Sequence, residues 1–216
     1  MPSQSYGRFM RNLETVTRLQ ESYDIIRRHR DSRGKGAFDH ITRSAVLFLV
    51  SAFEVYIEEI TYECCELNIN LARNAQRLPH GVRSTIDSAV TKKAPSLSPI
   101  SLCDEGWRNV YRQITRDATE KFNTPKVPQI KQLFGSYIGT TDPLIDGIAN
   151  IDQLDDFVRF RGEITHRVRA SSYVKIEKVI ESKELIAGLV MDIDRMLLSF
   201  FRVTYPDRRV PWNNTY

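Results

Sequence analysis

His166 carries the one type of side chain whose unperturbed pKa lies near neutrality, and arginines crowd around it in sequence: Arg159, Arg161, Arg167 and Arg169. An imidazole that gives or takes a proton, set beside guanidinium groups that grip phosphoryl oxygens, is the equipment of phosphodiester chemistry. The segment around it, IDQLDDFVRFRGEITHRVR from Ile151 to Arg169, places Leu154, Phe157, Val158 and Ile164 on one face of a helix. That face is expected to sit in a bundle core, with the basic face turned away from it. Arg161 and His166 are five residues apart, so on a regular α-helix they point roughly 140° apart with a rise of about 7.5 Å. Two arrangements bring the groups together. The helix loosens at Gly162, since glycine weakens a helix by about 1 kcal/mol relative to alanine, and opens into a π-bulge. Alternatively, two chains meet about a symmetry axis here, and two Arg/His sets share one cleft with neither helix distorted.

The elements that must position this segment read as helices. Tyr6, Phe9, Leu13, Val16, Tyr23 and Ile26 recur at helical steps and predict a first helix of about 25 residues, ending in Arg27, Arg28, His29 and Arg30 before a turn at Asp31 to Gly36. The longest helix is expected from Phe38 to about Arg73. It is apolar nearly all round from Ala45 to Phe53, which predicts the buried spine of the bundle. Glu54 follows directly, and a carboxylate there needs an arginine or backbone partner. Leu78-Pro-His-Gly81 closes this helix, Gly81 to Lys93 predicts a short one, and 92–106, with Pro95 and Pro99, reads as a loop. Trp107 to Phe122 is helical, with Arg108, Arg112 and Arg116 four apart on one face, either tracking phosphates or simply solvated. A short helix is expected over Val127 to Tyr137 and a long core helix from about Val174 to Val203. The tail, with Trp212, either meets a partner or packs back on the bundle. These readings predict one all-α domain over 1–216: a first helix and turn (1–37), a core bundle (38–203) and an irregular tail (204–216).

Composition narrows the function classes. The chain has 216 residues, 41% hydrophobic and 27% charged, a globular balance with enough length to bury a core. A formal charge of +4 permits an anionic partner without demanding one. Three cysteines, two adjacent at Cys64 and Cys65, make no disulfide framework and no zinc spacing; with no apolar leader or membrane span in the sequence, a cytoplasmic protein is expected. The four histidines stand singly, with no H-E-x-x-H, and there is no G-x-x-x-x-G-K, so neither a metal site nor a phosphate-binding loop is expected.

Arg161-Gly-Glu-Ile-Thr-His166 resembles the R-x(4–6)-H signature of the HEPN superfamily, small helical bundles that include many metal-independent endoribonucleases. Ser44 to Glu59, apolar and then carrying Phe-Glu-x-Tyr, is similar to the long second helix of those domains. Phe122-Asn-Thr-Pro125 precedes a Leu-Phe-Gly helix as in the prokaryotic RiboL-PSP-HEPN type. The resemblance covers roughly residues 40 to 200. One departure is Gly162, where RNA-cleaving members usually carry a polar residue, often Asn; Glu163 is the candidate to supply that polarity. The resemblance implies an up-and-down bundle of four to five main helices with extra short ones, no cofactor, and a homodimer acting on RNA, either tRNA or mRNA. Arg161 and His166 would be catalytic and Glu163 and Glu54 supporting, while Arg159, Arg167, Arg169, Arg108 and Arg112 would contact RNA. It further implies a toxin or antiviral defence effector, with an antitoxin or defence protein as a partner. Two other readings stand beside it: a non-catalytic HEPN module that binds RNA or a protein, and a helical scaffold unrelated to RNA.

Overall fold

Apolar residues at three and four residue steps build eight α-helices in the described part of the chain, residues 2–29, 38–91, 102–166 and 173–213 of a computed structural model. In chain order they are α1 (Gln4–His29), α2 (Asp39–Leu71), α3 (His80–Thr91), α4 (Gly106–Thr119), α5 (Val127–Tyr137), α6 (Asp142–Asp146), α7 (Gln153–His166) and α8 (Ile176–Thr204), with a 3-10 turn at Ala75–Arg77. The described residues form an all-helical bundle. The turn expected at Asp31 to Gly36 and most of the loop expected over 92–106 lie outside the described residues.

α2 is the spine. Leu49, Phe53, Ile57, Ile60 and Cys64 along it are fully buried, and α1, α4, α7 and α8 all pack on it. α1 runs antiparallel to it, with Phe9 edge-on to Tyr56 and Arg8 2.9 Å from Glu59. α8 runs parallel to it: Val174 N–H donates to the Asp39 carboxylate (2.6 Å) at one end, and Tyr205 O–H to Asn68 (2.8 Å) at the other. The enclosure is incomplete. From Ala45 to Phe53, Phe48 is 53% exposed and Ser51 is exposed, so the spine is not buried all round as its composition predicts; no other described helix of the chain covers that side.

Both ends of the chain join this core. Ser3 Oγ caps α1 by accepting from Tyr6 N–H (2.9 Å) and donates to the fully buried Asp194 of α8. Glu63 accepts from Gln4 N–H and Ser5 N–H, each at 2.9 Å, a carboxylate at the positive end of the helix. The same carboxylate accepts from the indole N–H of Trp212 (3.0 Å), which stands edge-on to Phe201. The tail therefore packs back rather than displaying its tryptophan. α3 and α5 approach so closely that a Cβ on Gly81 would lie 2.2 Å from the Gly135 carbonyl oxygen, and Gly139 turns the chain after α5 with φ +95°.

A buried polar hub fixes the end of α2. Asn68 donates to the Tyr111 hydroxyl (3.0 Å) and the Ile138 carbonyl (3.1 Å) and accepts from Tyr205, while Tyr111 donates onward to the Tyr137 carbonyl. One amide thus joins α2, α4, the end of α5 and the end of α8. Removing it strands a buried hydroxyl and a buried carbonyl, each costing about 1–3 kcal/mol. Asn68→Ala is expected to destabilise the fold by about 2–5 kcal/mol, measured by urea unfolding; a change under half a kcal/mol would mean the hub is solvated.

Candidate functional site

α7 is held by the four residues that its spacing singles out: Leu154, Phe157, Val158 and Ile164 are all buried. Its start is fixed by Asp155, which accepts from Val127 N–H at 2.8 Å. From there it runs antiparallel to α2, toward the end where Val174 meets Asp39. This path brings Arg161 of α7 within electrostatic range of Glu54 of α2, with no direct ion pair between them. Burial pushes the Glu54 carboxyl above its ordinary range, and the Arg161 charge pulls it part of the way back. Both residues are half-buried, on two helices that pack together.

The helix stays α-helical through Gly162 to its last residue, His166. A Cβ on Gly162 would meet nothing within 4 Å, so packing does not demand glycine there. The loosening that would swing Arg161 and His166 together within one chain is absent. At that register the two residues diverge by roughly 140°. Of His166 only the backbone place is described, and Arg167 and Arg169 lie outside the described residues. Glu163 is exposed, and Arg159 is paired with Asp156 (2.7 Å) on the solvent side.

The arginines of α4 are engaged within the bundle rather than displayed as a stripe. Arg112 makes a two-pronged pair with Glu66 (2.7 and 3.0 Å), Arg108 pairs with Glu105, and Arg116 lies over the Tyr62 ring, 5.7 Å from its centre. These partners come largely from the outer face of α2, where Glu54, Glu58, Glu59, Glu63 and Glu66 succeed one another. Sequence reasoning singled out Glu54 and overlooked Glu58, although the two stand at the i, i+4 spacing that stacks side chains. Burial pushes the Glu58 carboxyl up, and Glu54 and Glu59 push it further. Glu58, Glu59, Glu63 and Glu66 also line a cleft of about 540 Å³ between α1, α2 and α4. Arg8 and Arg116 line it as well. Among the described residues no three His, Cys, Asp or Glu side chains are grouped to hold a metal ion, and no helix is long and apolar enough to cross a membrane.

An all-helical bundle whose long second helix faces an Arg-x4-His segment at the end of a later helix defines a HEPN-type domain. The RiboL-PSP-HEPN family model matches residues 14–199, and the chain belongs to that family. Comparison with curated proteins and with solved structures finds no match.

Glu54 and Glu58 hold their protons more tightly in the fold than in the unfolded chain, so stability falls as pH rises from the ordinary glutamate pKa, about 4.3, through their raised values. Glu58→Gln is therefore expected to raise the melting temperature at pH 8 and to lose that gain near pH 4, where the wild-type carboxyl is itself protonated. Thermal melts across pH check this; a gain that persists at pH 4 would assign the effect to packing instead.

Proposed function

We propose that the protein is a metal-independent endoribonuclease, with Arg161 and His166 as its reacting groups and RNA as its substrate. The observation that carries this reading is that α7, the helix that ends at His166, packs on α2 with Arg161 half-buried and near enough for its charge to act on Glu54. Family membership supports it. RNA supplies its own nucleophile: His166 takes the 2′-OH proton, the freed oxygen attacks the adjacent phosphorus, and the 5′-oxygen leaves with a proton from an acid. The products are a 2′,3′-cyclic phosphate and a 5′-OH. Arg161 stabilises the charge that grows on the phosphoryl oxygens, for which its planar fork of donors suits better than a lysine. Glu54 acts through Arg161, fixing the guanidinium by its charge. A single chain offers one imidazole in this stretch, five residues from Arg161 on a regular helix. The acid is therefore the His166 of a second chain in a symmetric homodimer. In the cell, the role this supports is that of a toxin or antiviral defence effector acting on tRNA or mRNA, held in check by an antitoxin or sensor protein.

Purified wild type, Arg161→Ala and His166→Ala, incubated with total RNA and a defined tRNA in EDTA, test the reading. Wild type is expected to cleave and leave cyclic phosphate ends, and His166→Ala to lose about 10²–10⁴-fold, the usual worth of general acid–base assistance. Arg161→Ala should fall by a similar factor, the loss that follows removal of one charge-stabilising donor. Cleavage by both variants at the wild-type rate would assign the activity to other residues or to a contaminant. RNA binding without cleavage by folded wild type would make the protein a binding module instead.

A further inference from the structure

The positive charge of the chain is unevenly placed. Two stretches, 27–37 and 166–175, hold eight of its 31 Lys and Arg and one of its 27 Asp and Glu, which leaves the remainder net negative at 23 against 26. The described residues of these stretches stand at one end of the bundle. α1 ends there, with Tyr23 edge-on to Phe38 before the start of α2, their ring centres 5.9 Å apart, and Arg27 and Arg28 about one turn beyond. α8 begins there, where Val174 N–H meets the Asp39 carboxylate. α7 runs toward the same end and stops at His166.

The side chains at this end are open to a ligand. Arg27, Arg28, His40 and Lys175 are exposed. Arg8, Arg112 and Arg159 each pair with a carboxylate, whereas Arg27, Arg28 and Lys175 make no ion pair among the described residues. Asp39 is already taken up by Arg43 and by Val174 N–H. Asp24 and Glu177, both exposed, border the patch on α1 and α8 and confine it to the end itself. Beside the cations stands an aromatic ring: Tyr173, directly before Val174, is 41% exposed. Exposed cations around an exposed ring are what a single-stranded nucleic acid requires, with its phosphates drawn to the charges and an unpaired base stacked on the ring.

We propose that this end of the bundle is a contact for single-stranded RNA apart from the reacting groups, in which Arg27, Arg28 and Lys175 hold phosphates and Tyr173 stacks a base. With RNA as the substrate, the reading on which this rests, the patch also fixes where the strand runs. Glu54, on which the Arg161 charge acts, lies 14 residues along α2 from His40, about 21 Å. A strand held at both places extends several nucleotides beyond the bond that is cut, on one side of it. The patch therefore selects for an unpaired flank rather than for the bases at the cut, and a dinucleotide bound at the cut does not reach it.

Binding is measured on His166→Ala protein, so that no cleavage intervenes, with a fluorescent unpaired RNA of about 12 nucleotides and circular dichroism to check folding. Tyr173→Ala is expected to weaken binding roughly 5- to 150-fold, the usual worth of one stacked base, and Tyr173→Phe to keep it. Arg27→Ala with Arg28→Ala should flatten the slope of log affinity against log salt by about 1.4, the loss of two phosphate contacts on a single strand. Arg208→Ala with Arg209→Ala removes the same charge from the exposed tail, beyond the Tyr205–Asn68 end of the bundle, and is expected to leave the slope unchanged. With His166 intact, Tyr173→Ala should slow cleavage of the same RNA at limiting concentration and leave cleavage of a dinucleotide at the wild-type rate. Undiminished affinity in Tyr173→Ala, an unchanged slope in the Arg27/Arg28 variant, or an equal loss in the tail variant would each overturn the contact. Ile25 and Ile180 are also exposed, on α1 and α8; binding to phosphatidylserine vesicles, lost in the same variants, by a protein without affinity for RNA would overturn it in favour of a membrane surface. RNA held through this end by a wild type that leaves it uncut would overturn the ribonuclease reading alone, and cleavage indifferent to these substitutions would overturn the contact alone.

Discussion

A helix of 33 residues that is apolar around most of its circumference cannot stand in water, and the architecture follows from enclosing it. α1 covers one side of α2, α8 runs along the core side, and α4 and α7 divide the remaining flank between its two halves. Each covering helix brings its own apolar face, so the core runs without a break from Phe9 near the start of the chain to Trp212 near its end. The first helix and the tail, which segment by segment read as additions to a bundle, are parts of that core.

Enclosure also sets where charge can sit. The outer face of α2 is acidic over its second half, and the arginines facing it from α1 and α4 are drawn into pairs: Arg8 with Glu59, Arg112 with Glu66. Arg161 is the positive charge set against Glu54, at the boundary between the acidic half and the bare apolar strip. Half-buried groups of opposite sign interact more strongly than they would in water. The same neighbourhood explains why the Glu58 carboxyl is pushed above its ordinary range: it is partly buried and has two like charges close by.

The regularity of α7 carries as much weight as any contact. A glycine in mid-helix permits distortion, yet Gly162 sits in open space and the helix passes through it unbroken. Nothing pushes the backbone aside, and the hydroxyl of Thr165 adds hydrogen bonds to the carbonyls of Arg161 and Gly162 that reinforce the last turn. The roughly 140° between the backbone positions of Arg161 and His166 is then a property of the helix itself.

The sequence by itself determined the all-helical class, the long central helix and the four apolar residues that anchor α7, because helical periodicity is local and a buried face has to repeat every three to four residues. It also singled out Arg161, His166 and Glu54, since few other stretches set an imidazole among arginines or a carboxylate within an apolar run. It misread what depends on which surfaces meet. The all-round apolar stretch of α2 predicted complete burial, and only the packed bundle leaves Phe48 and Val55 uncovered. Three arginines in register on α4 show their spacing in the sequence but not their partners, which are Glu105 before α4 and Glu66 and Tyr62 on α2. The role of Asn68 as a hub depends on Tyr111, Ile138 and Tyr205, which only the folded chain brings to it. Periodicity records which face of a helix is apolar. Which neighbour covers that face, and which charge stands across from which, is decided when the helices pack.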